Sequence, residues 1–194
     1  MATGAKITGA VTRWWWVRHA VVPNPERRCY GQSDMDCDVS NEELFRHQAK
    51  LLPRGAVWYA SNLLRARKTA EHLAKAGAEM DKLHIDPDLA EQHFGNWQGL
   101  TYVEIAENHA DNHLFWLGPP EFRPEGGESF VDLRDRTVRS IDRLTAEHKG
   151  RDIVAIQNES RHFVGFGGDE GLFEKLLKRN IGQDVLSDGA FQFA

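Results

Sequence analysis

Cysteine is nearly absent from this chain: Cys29 and Cys37 are the only two in 194 residues. Two thiols build no disulfide framework and are too few for a structural zinc site. Two free thiols in a reducing cytoplasm are the expectation. Long apolar runs are missing as well. None approaches the roughly 18 residues of a membrane-spanning helix. Met1 to Ala10 holds one lysine and no long apolar core, so no signal peptide is expected. A basic excess is also lacking. Lys plus Arg number 24 against 29 Asp plus Glu, a net charge of −5. General nucleic-acid binders usually show the opposite balance. No internal repeat or low-complexity tract is visible. The balance excludes neither a small metabolite nor a locally positive pocket.

What is present is an ordinary globular composition. The length fits one domain over residues 1–194. Such a chain buries roughly 70% of its unfolded surface and needs no staples.

Thr12 to Val17 contains three consecutive tryptophans and reads as a buried strand rather than a ligand platform. A Pro/Asn/Arg-rich loop follows to Ser40. Ser40 and Glu43 have capping-box spacing ahead of a helix with Leu44, Phe45 and Ala49. Ala56 to Ala60 reads as a second strand. Ser61 is placed as the N-cap of a helix ending at Gly77. A short strand is expected over Leu83 to Leu89, and a capped helix after Thr101 and Glu104.

The strongest helix signal runs from Ser129 to His148, with Gly150 as its stop. Its apolar face is Phe130, Leu133, Val138 or Thr137, Ile141 and Leu144. Its charges, Arg134, Asp135, Arg136, Arg139, Asp142 and Arg143, are assigned to a solvated face. Asp152 to Ile156 closes the series as a strand. Strands alternating with helices imply an α/β fold with a mostly parallel sheet. Ligands of such sheets bind beyond the carboxyl ends of the strands.

Those ends carry chemistry. Arg18-His19 follows the first strand, and Arg65 follows the second. Arginine forks match phosphate oxygens. A histidine among them can attack phosphorus. Glu91 stands beside a Gly- and aromatic-rich loop, where a carboxyl group can act as a general acid. A glycine-rich turn, Gly126-Gly127-Glu128-Ser129, leads into the long helix.

Taken together these segments resemble the histidine phosphatase superfamily, the phosphoglycerate-mutase-like enzymes. Arg18-His19-Ala20 stands for its Arg-His-Gly motif. Ser61, Leu63, Arg65, Ala66, Thr69 and Ala70 match its second motif. Leu89, Glu91, Phe94, Gly95, Trp97 and Gly99 match its acid loop, and Gly126 to Ser129 its Gly-Gly-Glu-Ser turn. The likeness covers about residues 12 to 156. It implies a three-layer sandwich, a mostly parallel central sheet flanked by helices. It also implies a phosphomonoesterase acting on a small phosphorylated metabolite.

By that resemblance His19 is the nucleophile and forms a phosphohistidine. Glu91 is the acid and then the base. Arg18, Arg65 and Asn158 bind phosphate. Asn24, Tyr30 and His93 line the substrate pocket. The stretch Cys29-Tyr30-Gly31-Gln32, with Asp34, resembles the substrate loop of small bacterial phosphatases, including some α-ribazole phosphatases. No metal or organic cofactor is implied. Neither a nucleic-acid nor a membrane partner is implied, and the chain is expected to be a cytoplasmic monomer or homodimer.

One motif departs from the pattern. Asn158 stands where the family places a second histidine, and Glu159 where it places glycine. Asn can donate a neutral hydrogen bond but cannot carry an imidazolium charge. Glu159 adds negative charge near a bound phosphate. The segment after residue 156 resembles the family poorly. A weakened enzyme, a phosphate-binding member without turnover, an altered tail and a mutase are the readings left open. His162, one helical turn away, is a poor substitute. His109 and His113 have metal-pair spacing without a third ligand. Gly165-Phe166-Gly167-Gly168 lacks the Walker lysine spacing.

Overall fold

The strands sit where the apolar runs are. β1 covers Arg13–Arg18, β2 Val57–Ala60, β3 Leu83–Ile85 and β4 Asp152–Gln157. In the computed structural model all four run parallel, in the order β3-β2-β4-β1. The structure describes residues 10–157 and two further strands, β5 (Gln183–Val185) and β6 (Ala190–Phe193). β6 pairs antiparallel with β1, and β5 with β6. The sheet is therefore parallel at its centre with an antiparallel edge.

Parallel strands are buried on both faces, so their residues alternate between two cores. Val17, Trp58, Ala60, Val154 and Ile156 pack on one side. They meet Phe45 and Ala49 of α1 (Glu42–Leu51) and Ala66, Ala70 and Leu73 of α2 (Leu64–Lys75). Trp14, Trp16, Val57, Tyr59, Ile153 and Ala155 pack on the other side. They meet Ile141 and Leu144 of α5 (Phe130–Glu147). This is the three-layer sandwich. Trp14 and Trp16 stack with ring centroids 4.9 Å apart, which makes the tryptophan run a core strand as expected.

Several boundaries differ from the sequence reading. Asn41, not Ser40, caps α1: its side chain accepts from the Leu44 amide at 3.0 Å. The Ser40 amide instead donates to Asp38. Ser61 does not cap α2. It is fully buried, and its amide points to the Ile156 carbonyl. α2 begins at Leu64, whose amide is taken by Asp34 from a distant loop at 2.5 Å. The strand expected over Leu83 to Leu89 stops at Ile85. The Asp86 carboxylate accepts from the Asp88 amide and starts a 3-10 turn over Pro87–Leu89.

The other caps hold. Thr101 and Glu104 form a capping box ahead of α3 (Tyr102–Asn108), and α4 covers Asn112–Leu117. Ser129 and Asp132 form another at the start of α5, and Thr137 rather than Val138 is buried on its core side. The solvated-face reading of that helix fails at Arg136, which is buried. Arg143 stays exposed and reaches the buried Asp86 carboxylate at 2.6 Å. The 88–91 backbone and Glu128 close over Arg136, and no helical wheel shows a loop.

A smaller cluster of Cys29, Phe94, Trp97 and Ile105, with Phe115 and Phe122 packed on it, joins the loop after β1 to the loop after β3. No helix among the described residues is long and apolar enough to cross a membrane.

Candidate active site

His19 leaves β1 at the carboxyl end of the sheet. Its amide donates to the Gln157 carbonyl at the end of β4, at 3.0 Å. Its Nδ1 lies 2.6 Å from the Ala20 carbonyl. A carbonyl only accepts, so Nδ1 carries the proton and the neutral ring keeps its lone pair on Nε2. That Nε2 is buried and has no hydrogen-bond partner among the described residues. An orphaned buried acceptor costs stability, of order 1–3 kcal/mol. Its placement at a strand end leaves a lone pair that a ligand could engage.

The Ala20 peptide is itself fixed. Its amide donates to Thr69 Oγ1 at 2.8 Å, and that hydroxyl donates to the Arg65 carbonyl at 2.7 Å. Burial lowers the His19 pKa to about 4, helped by the Arg65 and Arg18 charges and opposed by the Ala20 bond. The imidazole is therefore neutral near pH 7. The unfolded chain, at about 6.5, takes up this proton first. Between those values the unfolded state binds more protons, so stability rises with pH. Stability is expected to be full above about pH 6.5 and to fall as pH drops toward about 4. Urea midpoints at two pH values check this. His19→Gln should show a smaller drop, and an equal drop would assign it to other groups.

Arg65 lies in the first turn of α2 and has no exposed surface. Nη1 donates to the Ser33 carbonyl at 3.0 Å and Nη2 to the Gly31 carbonyl at 2.7 Å. Its guanidinium sits 5.0 Å from the centroid of the Tyr30 ring. Nε is buried without a partner. Arg18 ends β1 with an exposed side chain whose charge still acts on His19. His19, Arg18 and Arg65 thus converge on one place.

Glu91 follows the 3-10 turn after β3. One carboxylate oxygen accepts from the Gln92 amide at 2.9 Å. Its charge acts on Arg65 and on Cys29. Burial, and then Glu91, push the Cys29 thiol up to about 12, so that thiol is unreactive. The acid loop is braced by the glycine turn. The Asn96 amide donates to the Glu125 carbonyl, and the Glu128 amide to the His93 carbonyl. Gly95 has φ +53, and a Cβ there would overlap the Glu125 carbonyl. A Cβ on Gly127 would press on the His93 carbonyl at 2.5 Å. Close backbone approach is why glycine stands at both.

His93 lies in this loop, with Nδ1 accepting from the Gly95 amide at 3.0 Å. Tyr30 is under Arg65. The Asn24 amide group is engaged at both ends with the Arg28 backbone, at 2.8 and 2.9 Å, and shapes the turn there. Asn158, Glu159, His162 and Gly165 to Gly168 lie outside the described residues. His109 closes α3 while His113 lies in α4, so a break separates the pair. Among the described residues no three His, Cys, Asp or Glu side chains form a metal-holding group.

Two residues touch the Glu91 backbone: Gln32, read from the sequence only as part of a substrate loop, and Arg136, which sequence reasoning missed. A signal for Arg136 existed. It stands three after Leu133 and four before Ser140, on the buried stripe of α5.

Comparison with known proteins agrees with this geometry. A family model described as the histidine phosphatase superfamily, branch 1, matches residues 14–159. A bifunctional protein of Mycobacterium tuberculosis is 34% identical over 161 residues, 80% of this chain and 43% of that protein. The chain thus spans less than half the length of that relative. The metal-independent phosphoserine phosphatase of Arabidopsis thaliana is 31% identical over 157 residues, 78% of this chain and 66% of its own length. The native structure of mycobacterial glucosyl-3-phosphoglycerate phosphatase matches with a TM-score of 0.64 and 28% identity. That match covers 75% of this chain and 73% of the other. A neutral, buried histidine and two arginines at the carboxyl ends of parallel strands, and a family match over the same residues, agree on one conclusion: the chain belongs to branch 1 of the histidine phosphatase superfamily.

Proposed function

We propose that this chain is a phosphomonoesterase for a small phosphorylated metabolite and works through a phosphohistidine on His19. One observation carries the reading: the buried, unpartnered Nε2 of a neutral His19 beside two arginine charges. In the first step Nε2 bonds to phosphorus and the ester P–O bond breaks. Glu91 gives its proton to the leaving oxygen. Arg18 and Arg65 balance the charge on the phosphoryl oxygens. In the second step water attacks the phosphohistidine, Glu91 takes the water proton, and the N–P bond breaks to release phosphate. Asn158, outside the described residues, is assigned the neutral phosphate donor by the family resemblance alone. Two relatives named as phosphatases support the reaction class.

Losing one preorganised donor from such a site costs about 10²–10³ in rate. The Asn158-Glu159 pair therefore favours a second reading, a phosphate-binding member without turnover. Incubation with a reactive phosphoramidate, followed by assay for acid-labile, base-stable phosphate, tests the first reading together with aryl phosphate hydrolysis. Slow turnover with a labelled histidine is the expected outcome. Saturable binding of inorganic phosphate with neither label nor turnover would select the second.

A further inference from the structure

Arg136 donates five hydrogen bonds, to Glu128 and to the 88–91 backbone. It rises from the buried stripe of α5 and is 8% exposed. Nε donates to Glu128 Oε1 at 2.8 Å and Nη2 to Glu128 Oε2 at 3.0 Å. Nη1 donates to the carbonyls of Asp88 and Ala90, at 2.7 and 2.9 Å. Nη2 also donates to the carbonyl of Glu91 itself, at 2.7 Å. Three carbonyls within four residues thus converge on one guanidinium. The Glu91 carbonyl has a second donor, Gln32 Nε2, at 2.8 Å. Glu128 in turn accepts from the His93 amide at 2.9 Å, past the far side of Glu91.

We propose that Arg136 is a positioning residue for Glu91, fixing the acid through the carbonyls that lead into it. A planar fork with five donors in fixed directions can serve this many acceptors at once, and a lysine cannot. The Glu128 carboxylate neutralises the fork and ties it to the residues after Glu91. The carboxyl group then has little backbone freedom, and proton transfer depends on placement within hydrogen-bond reach. The kinetic side rests on the phosphatase reading above. The tether itself does not.

The test separates the two. A dinitrophenyl phosphate ester leaves without needing a proton; phenyl phosphate needs one. Arg136→Lys is expected to lower kcat/KM on phenyl phosphate by about 10²-fold or more, the lower end of what a general acid contributes. Loss on the dinitrophenyl ester is expected to stay within about 3-fold. Glu91→Gln should give the same imbalance. Equal losses on both esters would overturn the positioning role. A half-buried Glu128 with a poorly matched partner can destabilise a single variant. The paired variant Arg136→Met with Glu128→Met removes both charges and must show the same imbalance. Amide hydrogen exchange across residues 88–94 reads the tether without turnover. Faster exchange there, with the central strands unchanged, is expected in both variants. Unchanged exchange across 88–94 would overturn the tether. If the unaltered chain turns over neither ester, the phosphatase reading fails, and exchange alone decides the tether.

Discussion

Replacing His19 with alanine should abolish the acid-labile phosphate label and cost at least about 10³-fold in phosphomonoester turnover. Water cannot take the place of Nε2, because the attacking atom must already sit in line with the ester bond, beside the arginines. The variant should still fold. His19 contributes an orphaned Nε2 to the interior, and alanine removes that atom together with the Nδ1 bond to Ala20. The Ala20 peptide keeps its hydrogen bond to Thr69. A melting temperature near that of the parent, with label and turnover gone, is the expected pair of results. Turnover surviving in His19→Ala would sink the phosphohistidine route.

The second large effect belongs to Arg65→Met. Losing one preorganised charged donor costs about 10²–10³ in rate, and here more than the charge is lost. Arg65 holds the Gly31 and Ser33 carbonyls, so its removal leaves two acceptors of a half-buried loop without this donor. That loop carries Tyr30 and Gln32, and Gln32 reaches the Glu91 carbonyl. Phosphate affinity, turnover and the order of the 30–33 loop should fall together. Isothermal titration with inorganic vanadate reads the first, kcat/KM the second and limited proteolysis the third. Arg65→Lys should rescue little, since an ammonium cannot span both carbonyls in one plane. A variant that binds vanadate like the parent, with an intact loop, would remove Arg65 from the phosphate site.

The site was legible in the sequence where chemistry and short spacing coincide. Arg18-His19 directly follows an apolar strand, and Arg65 follows the next, so strand-end logic brings them together without coordinates. Glu91 was legible through its neighbours, because Gly95 and Trp97 mark a tight turn against an apolar patch. Ser61 shows the limit of local logic. It has the composition of an N-cap, yet the Leu64 amide is taken by Asp34, which lies 30 positions away in the chain. Ser40 shows it too, since Asp38 claimed its amide and moved the cap to Asn41.

Arg136 marks the boundary most clearly. Seen along the helix it is one charge among eight, and charges on long helices usually face water. Only the folded chain brings the 88–91 backbone and Glu128 around it, and only then does burial become cheaper than exposure. The sequence by itself determined the layers of the fold, because short continuous apolar runs mark strands buried on both faces and a period of about three and a half marks the helices between them. It also determined which atoms can attack, donate or hold phosphate, because those are properties of residue types. Tertiary structure decided the tautomer of His19, the lowering of its pKa, and which partners brace Glu91. Each of these depends on distances between segments far apart in the chain, and no local pattern encodes a distance.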